Sequence, residues 1–184
     1  LSHYGCVEKF LQTDADYLVV LEDDLRIDNN FSSTLQDILH YLHSQKNIEW
    51  NLINLAAKKN KISREIFRTH GYSLVRAYYF PIRGLGLVWS RQGAHDFLDM
   101  AKNPCLPVDI FFQNWLTKTG KGLSVWPPLV RPAGLDSDIL GTVATQGVKR
   151  KQKENRDFSF FMKKQLRLLK NNIFACINFL SFKS

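Results

Sequence analysis

Three consecutive carboxylates, Glu22, Asp23 and Asp24, close an unbroken apolar run in the stretch YLVVLEDDLRI at residues 17 to 27. Like charges gathered at a strand end repel one another, and either water or a cation must relieve them. Side chains alternate along an extended chain, so Glu22 and Asp24 share one side and Asp23 takes the other. The Glu22–Asp24 pair offers hard oxygen ligands for one Mg²⁺ or Mn²⁺, whose shell water and diphosphate oxygens would complete. A metal so placed neutralises charge on a departing diphosphate, acting as a Lewis acid. A solvated strand end before a polar turn accounts for the same triplet, and spacing alone leaves both readings open.

Other residue types fit the same chemistry. Asp109 follows Pro107 and Val108 and opens the helical stretch DIFFQNWLTK, where a carboxylate either caps free backbone N–H groups or takes a proton from an attacking hydroxyl. His3, beside Ser2, is a phosphate or sugar contact on one reading and a packed or exposed histidine on the other. Arg83 sits in PIRGLG, where Gly84 and Gly86 let an anion approach closely or simply serve turn geometry. Ser137 and Asp138 follow a proline-rich strand and read as a turn. Trp89, Trp115 and Trp126 lie in apolar stretches, and core packing explains most of them better than sugar stacking.

The elements that must position these groups follow from periodicity. Residues 4 to 13 form a short helix, and 17 to 22 read as a strand buried on both faces. Asn29 and Asn30 cap a helix with Phe31, Leu35, Ile38, Leu39 and Leu42 on its apolar face. WNLINL is a second strand, AAKKNKISR a basic loop, and GYSLVRAYYF a strand or hairpin. A strand runs to Trp89, Ser90 caps the next helix, and Gly120 and Gly122 end the helix opened by Asp109 before the strand LSVW. Strands alternating with helices predict an α/β layer architecture whose loops after strand ends form the ligand crevice.

The chain has 184 residues and a formal charge of +8, but the charge is uneven. Residues 1–148 hold 15 Lys/Arg and 15 Asp/Glu, whereas residues 149–184 hold 10 and 2. One domain over 1–148 with a basic tail over 149–184 is therefore expected. In the tail, Leu166, Leu169, Ile173 and Ile177 share one helical face beside Lys163, Lys164, Arg167 and Lys170, which makes an interfacial helix for anionic lipid one reading and a solvated tail the other. The apolar stretch at 173–182 is about half of the roughly 20 residues that span a bilayer, so the protein is not expected to cross a membrane. Three cysteines without metal-ligand spacing point to a reduced, cytosolic setting. The opening LSHYGC carries no secretion signal and reads as the interior of a longer chain. Nucleic-acid binding, suggested by the pI of 9.5, is disfavoured by the neutral body and the lack of a recurring aromatic–basic platform.

Three ordered blocks carry a resemblance. LSHYGCVEKFLQTDADYLVVLEDDLRIDNNF resembles the central block of glycosyltransferase family 25, the lipooligosaccharide and collagen galactosyltransferase group, in which a Ser-His pair opens a helix and a strand ends in Glu-Asp-Asp. GLGLVWSRQGAHDFL with LPVD, and PPLVRPAGLDSDI, are similar to its later blocks. The resemblance implies a GT-A-like mixed sheet and transfer of galactose or glucose from a UDP-sugar, with Mn²⁺ or Mg²⁺ held chiefly by Asp24 and Glu22, beside Asp23. It also favours an inverting reaction with Asp109 as base and closure by Ser137 and Asp138 over the diphosphate, while Ser2, His3 and Arg83 are expected as donor contacts on the reading of the residues above. The acceptor expected is a saccharide, lipid-linked, which the basic tail over 149–184 would meet at the cytoplasmic face of the cell membrane. The family's amino-terminal strand and helix, with an Asn-Leu-x-x-Arg-like opening, are not in the sequence, and the expectation is a partial chain. The alternative is a truncated, non-catalytic homologue that binds nucleotide-sugar weakly or not at all.

Overall fold

The computed structural model describes residues 2–45, 47–101, 106–133 and 158–181. Ser137, Asp138 and the expected boundary at 148/149 lie outside them. Among the described residues, a six-stranded mixed sheet has the order β1 (Tyr17–Leu21), β6 (Gly86–Ser90), β3 (Leu52–Asn54), β7 (Gly122–Trp126), β5 (Tyr72–Ala77) and β4 (Ser63–Thr69). A two-stranded ribbon joins β2 (Leu25–Ile27) to β8 (Val130–Pro132). Only β3 and β7 run parallel side by side; the other neighbours are antiparallel. The expected α/β architecture with a mixed sheet, flanking helices and a carboxyl-terminal helix is what the chain forms.

Strand alternation divides the core between the two faces of the sheet. Ile53, Val88, Leu123 and Val125 pack with Leu35, Ile38 and Leu42 of α2 (Phe31–Ser44). Their neighbours Leu52, Leu87 and Trp89 pack on the opposite side with Val7 and Phe10 of α1 (Ser2–Leu11), Phe97 of α3 (Arg91–Met100) and Phe112, Trp115 and Leu116 of α4 (Val108–Thr119). Trp89 and Trp115 are core residues as expected, but Trp126 is exposed because it ends β7 at the sheet margin.

The first strand corrects an expectation. Tyr17–Leu21 is an edge strand, and Val19 and Leu21 are 38% and 37% exposed rather than buried. Leu18 and Val20 reach the core beneath α1 and α3, while on the other face only Tyr17 joins the cluster with α2 and Val19 and Leu21 stay exposed. The stretch read as a basic loop ends sooner than expected, because SREIFRT forms β4 and pairs with β5 through His70 and Gly71, both at positive φ. The two positive φ angles match the twist of a tight hairpin.

Capping follows the sequence in part. Ser90 Oγ accepts from Gly93 N at 2.9 Å, and Gly120 ends α4 in the left-handed conformation. Asn30 is the N-cap residue of α2 but makes no side-chain cap bond; instead Asp28 Oδ1 accepts from Asn30 N at 3.0 Å. Helix α5 (Phe158–Ser181) lies against the domain rather than trailing from it. Asn171 Nδ2 donates to Asn114 Oδ1 at 2.9 Å, Asn178 Nδ2 donates to Thr117 O at 2.9 Å, and Ala175 is fully buried beside Tyr78 and Tyr79.

Candidate active site

Strand direction gathers the sequence-predicted residues at one edge. β1 and β3 run the same way, with β6 antiparallel between them, so Glu22 beyond β1, Asn54 at the end of β3 and the segment 83–85 entering β6 are neighbours. Glu22 N donates to Leu85 O at 2.9 Å and extends that ladder by one residue. α1 and α4 run back along the sheet, which brings their amino-terminal turns, carrying His3 and Asp109, to the same edge.

The triplet itself is not strand. Residues 22–24 form the bend between β1 and β2, with Asp24 O accepting from Ala133 N at 2.9 Å, so strict alternation of Glu22 and Asp24 does not apply. All three side chains are exposed. Desolvation first, then the charges of Asp24, Asp109 and Asp23, raise the Glu22 carboxyl above the usual range. Leu85, to whose O Glu22 N donates, follows Gly84, against which Asp109 Oδ1 lies, so acids from the bend and from α4 stand near one another. Among the described residues no three His, Cys, Asp or Glu side chains converge closely enough to hold a metal by themselves. The donor set fits a hard divalent cation only where another ligand supplies part of the shell.

Asp109 lies in the first turn of α4, whose N-cap is Pro107 and which has no side-chain cap bond at that position. Its Oδ1 is 2.9 Å from where a Cβ on Gly84 would stand, so a side chain at 84 would push the Asp109 carboxylate aside. Neither Gly84 nor Gly86 has a positive φ; Arg83 does, at 132°. The turn strain read onto the glycines thus belongs to Arg83. Asn54, almost fully buried, holds that conformation: its Nδ2 donates to Arg83 O at 2.8 Å and to Pro81 O at 3.4 Å, and its Oδ1 accepts from Ala56 N at 2.9 Å. Asn54 was not singled out in the sequence, although a polar residue closing the apolar run WNLIN is the same kind of signal as Glu22 closing YLVVL.

His3 is buried, edge-on to Phe112 at 5.6 Å, and its Nδ1 lacks a hydrogen-bond partner among the described residues. Burial lowers its pKa and outweighs the opposing charge of Asp109. Ser2 begins α1 next to it. Of the expected set, Glu22, Asp23, Asp24, Arg83, Asp109 and His3 thus reach one edge.

These shifts have opposite consequences for stability. Glu22 has a raised folded pKa, so its ionisation disfavours folding at neutral pH, and the penalty disappears as pH falls through that pKa. His3 has a lowered folded pKa, so its contribution is present above its ordinary value and is lost as pH falls from about 6.5. Glu22→Gln is expected to raise the melting temperature slightly at pH 7, by less than about 1 kcal/mol for an exposed charge, with the gain gone at acidic pH. A melting temperature lower than wild type at pH 7 would remove the repulsion.

The profile of glycosyltransferase family 25 (LPS biosynthesis protein) matches residues 1–112, more than half the chain. The chain belongs to glycosyltransferase family 25. It is 34% identical to procollagen galactosyltransferase 1 of Danio rerio over 115 residues, which is 60% of this chain and 18% of that protein. It is 28% identical to procollagen galactosyltransferase 1-B of Xenopus laevis over 152 residues, covering 75% of this chain and 25% of that protein. Identity to a probable inactive family 25 member 3 of Bos taurus is 33% over 114 residues. The chain thus spans about a fifth to a quarter of the length of these relatives. All six side chains gathered at the edge fall within the family 25 match.

Proposed function

We propose that this family 25 chain transfers a hexose, galactose or glucose, from a UDP-sugar to a saccharide acceptor at the acidic edge of the sheet. The observation that carries the reading is that Glu22, bonded through its N–H to Leu85 O, and Asp109, whose carboxylate lies against Gly84, meet at one end of the sheet, which supports a shared role for acids from two separate elements. Glu22 and Asp24, with Asp23 beside them, would hold Mn²⁺ or Mg²⁺ jointly with the donor diphosphate; the cation's contribution is to neutralise charge on the departing UDP. Asp109 takes the proton of the acceptor hydroxyl while its oxygen bonds to the anomeric carbon and the bond from that carbon to the diphosphate breaks, with inversion. Arg83 and His3 line the donor side, and the amino-terminal ends of α1 and α4 favour the phosphate charge. Release of UDP from UDP-galactose or UDP-glucose, measured with and without Mn²⁺ in the presence of a saccharide acceptor, tests this directly.

A second reading, a non-catalytic homologue, is favoured by the similar identities to a galactosyltransferase and to a probable inactive relative. UDP bound with Mn²⁺ but never released from the sugar nucleotide is its signature.

The acceptor is proposed to be lipid-linked and met at the inner face of the cell membrane. One side of α5 docks on the domain, while Leu166, Leu169, Ile173 and Ile177 on another side are 52–60% exposed. No described helix is long and apolar enough to cross a membrane. An apolar stripe flanked by Lys163, Lys164 and Lys170 suits reversible binding to an anionic surface, to which each cation adds about 1 kcal/mol at most. Leu169→Gln with Ile173→Gln should lower co-sedimentation with anionic vesicles several-fold and leave the melting temperature unchanged. Undiminished binding, or equal binding to neutral vesicles, removes the membrane from the account.

A further inference from the structure

A second crevice opens beside the acidic edge, and its chemistry is opposite. It has a volume of about 220 Å³ and is lined by Lys58, Lys59 and Lys61 of the loop after β3, by Tyr79 and Gln113, and by Leu168 of α5. Among the described residues no carboxylate lines it. Lys61 Nζ lies 4.3 Å from the centre of the Tyr79 ring, and Arg167 of α5 is close enough for its charge to act on Tyr79. Three lysines around a space with apolar walls give it a positive potential that favours an anion.

A second observation narrows the ligand. Gln113 is only 3% exposed, its Nε2 donates to Phe80 O at 3.1 Å, and its Oε1 has no partner among the described residues. A buried amide oxygen left unpaired is costly and asks for a donor. A carboxylate or an ionised phosphate ester has none to give, whereas the hydroxyls of a sugar that bears such a group do. The volume is below the roughly 300–1,000 Å³ of pockets that enclose whole ligands, so it suits one unit of a larger molecule.

Position ties this crevice to the proposed reaction. Gln113 follows Asp109 by four residues on α4, so the two side chains stand on one face, about 5–6 Å apart along the helix. Pro81 lines both this crevice and the one that Arg83, Gly84 and Asp109 form.

We propose that the lysine crevice is an acceptor subsite that holds an anionic sugar unit, phosphorylated or carboxylated, so that a neighbouring hydroxyl of the same saccharide reaches Asp109. The assignment to the acceptor rests on the hexosyltransferase reading. The binding of the anion does not.

The test uses the full chain and its Lys58→Gln/Lys59→Gln/Lys61→Gln variant, whose substitutions are at exposed positions. Binding of glucose 6-phosphate, glucuronate, glucose and inorganic phosphate is measured by calorimetry or by chemical-shift titration. The expected result is that glucose 6-phosphate or glucuronate binds, that glucose binds at least about tenfold more weakly, and that the triple variant loses about tenfold or more for the anionic sugar. Which of the two acids binds better identifies the anion. Unaltered binding in the triple variant, equal binding of glucose, or no binding of either anionic sugar overturns the subsite. Inorganic phosphate binding as tightly as glucose 6-phosphate overturns its assignment to a saccharide.

UDP titrated with Mn²⁺ in parallel separates the two proposals. UDP binding without anionic-sugar binding removes only the subsite, whereas anionic-sugar binding without UDP binding leaves an anion site and removes the acceptor role.

Discussion

Asp109→Asn is expected to lower hexosyl transfer by about 10²–10⁴-fold while leaving the fold and the melting temperature close to wild type. The substitution keeps shape and one side-chain oxygen but removes the group that accepts a proton. Stability should survive because Asp109 is not the N-cap of α4; Pro107 occupies that position and there is no side-chain cap bond there. What remains is a favourable carboxylate in the first turn of a helix, a contribution of about 0.3–1 kcal/mol when exposed. The close approach to Gly84 is also preserved, since Asn is nearly isosteric with Asp. A large fall in melting temperature with activity retained would make Asp109 a structural residue.

The largest expected effect on stability is at Gly93→Ala. A Cβ there would stand 2.1 Å from Asn51 O and 2.6 Å from Asn51 C, which are backbone atoms that cannot swing aside. Asn51 O also accepts from Ser90 N at 3.1 Å, at the junction of β6 with α3. Moving α3 outward would pull Ala94 and Phe97 from the core. We expect a loss of about 3 kcal/mol or more, the range of overpacked sites that must shift backbone. Gly5→Ala in α1 is the control: nothing lies within 4 Å of its Cβ, so helix propensity should make it stabilising by about 0.5–1 kcal/mol. Chemical denaturation of the two variants checks both signs, and a neutral Gly93→Ala would contradict the packing of α3 on β3.

These two glycines show what the sequence could and could not disclose. Helical periodicity in FSSTLQDILHYLH and the Ser90 signal depend on local physics, and they appear where expected. Burial depends on neighbours. YLVVL has the composition of a buried strand, yet as an edge strand it is covered on only one face, and nothing local states strand order. The strand SREIFRT was hidden by its charges, because Glu65 and Arg68 point outward and pair with each other at 2.7 Å. At the site, the acids announced themselves by interrupting apolar runs. Asn54, which holds the strained Arg83 backbone, is recognisable only once β3 and the 81–84 segment are side by side. Gly84 likewise needs Asp109 in place before its lack of a side chain has a meaning.

The account rests on one claim, that the acids at the end of β1 bind a cation together with the donor's diphosphate while Asp109 stands apart as the base. Calorimetric titration of UDP into the wild-type chain, Asp24→Ala and Asp109→Asn, each with and without Mn²⁺, tests it most directly. The account predicts UDP binding by wild type only when Mn²⁺ is present, loss of that binding in Asp24→Ala, and its retention in Asp109→Asn. Binding of UDP that is indifferent to Mn²⁺ and unchanged in Asp24→Ala would contradict it.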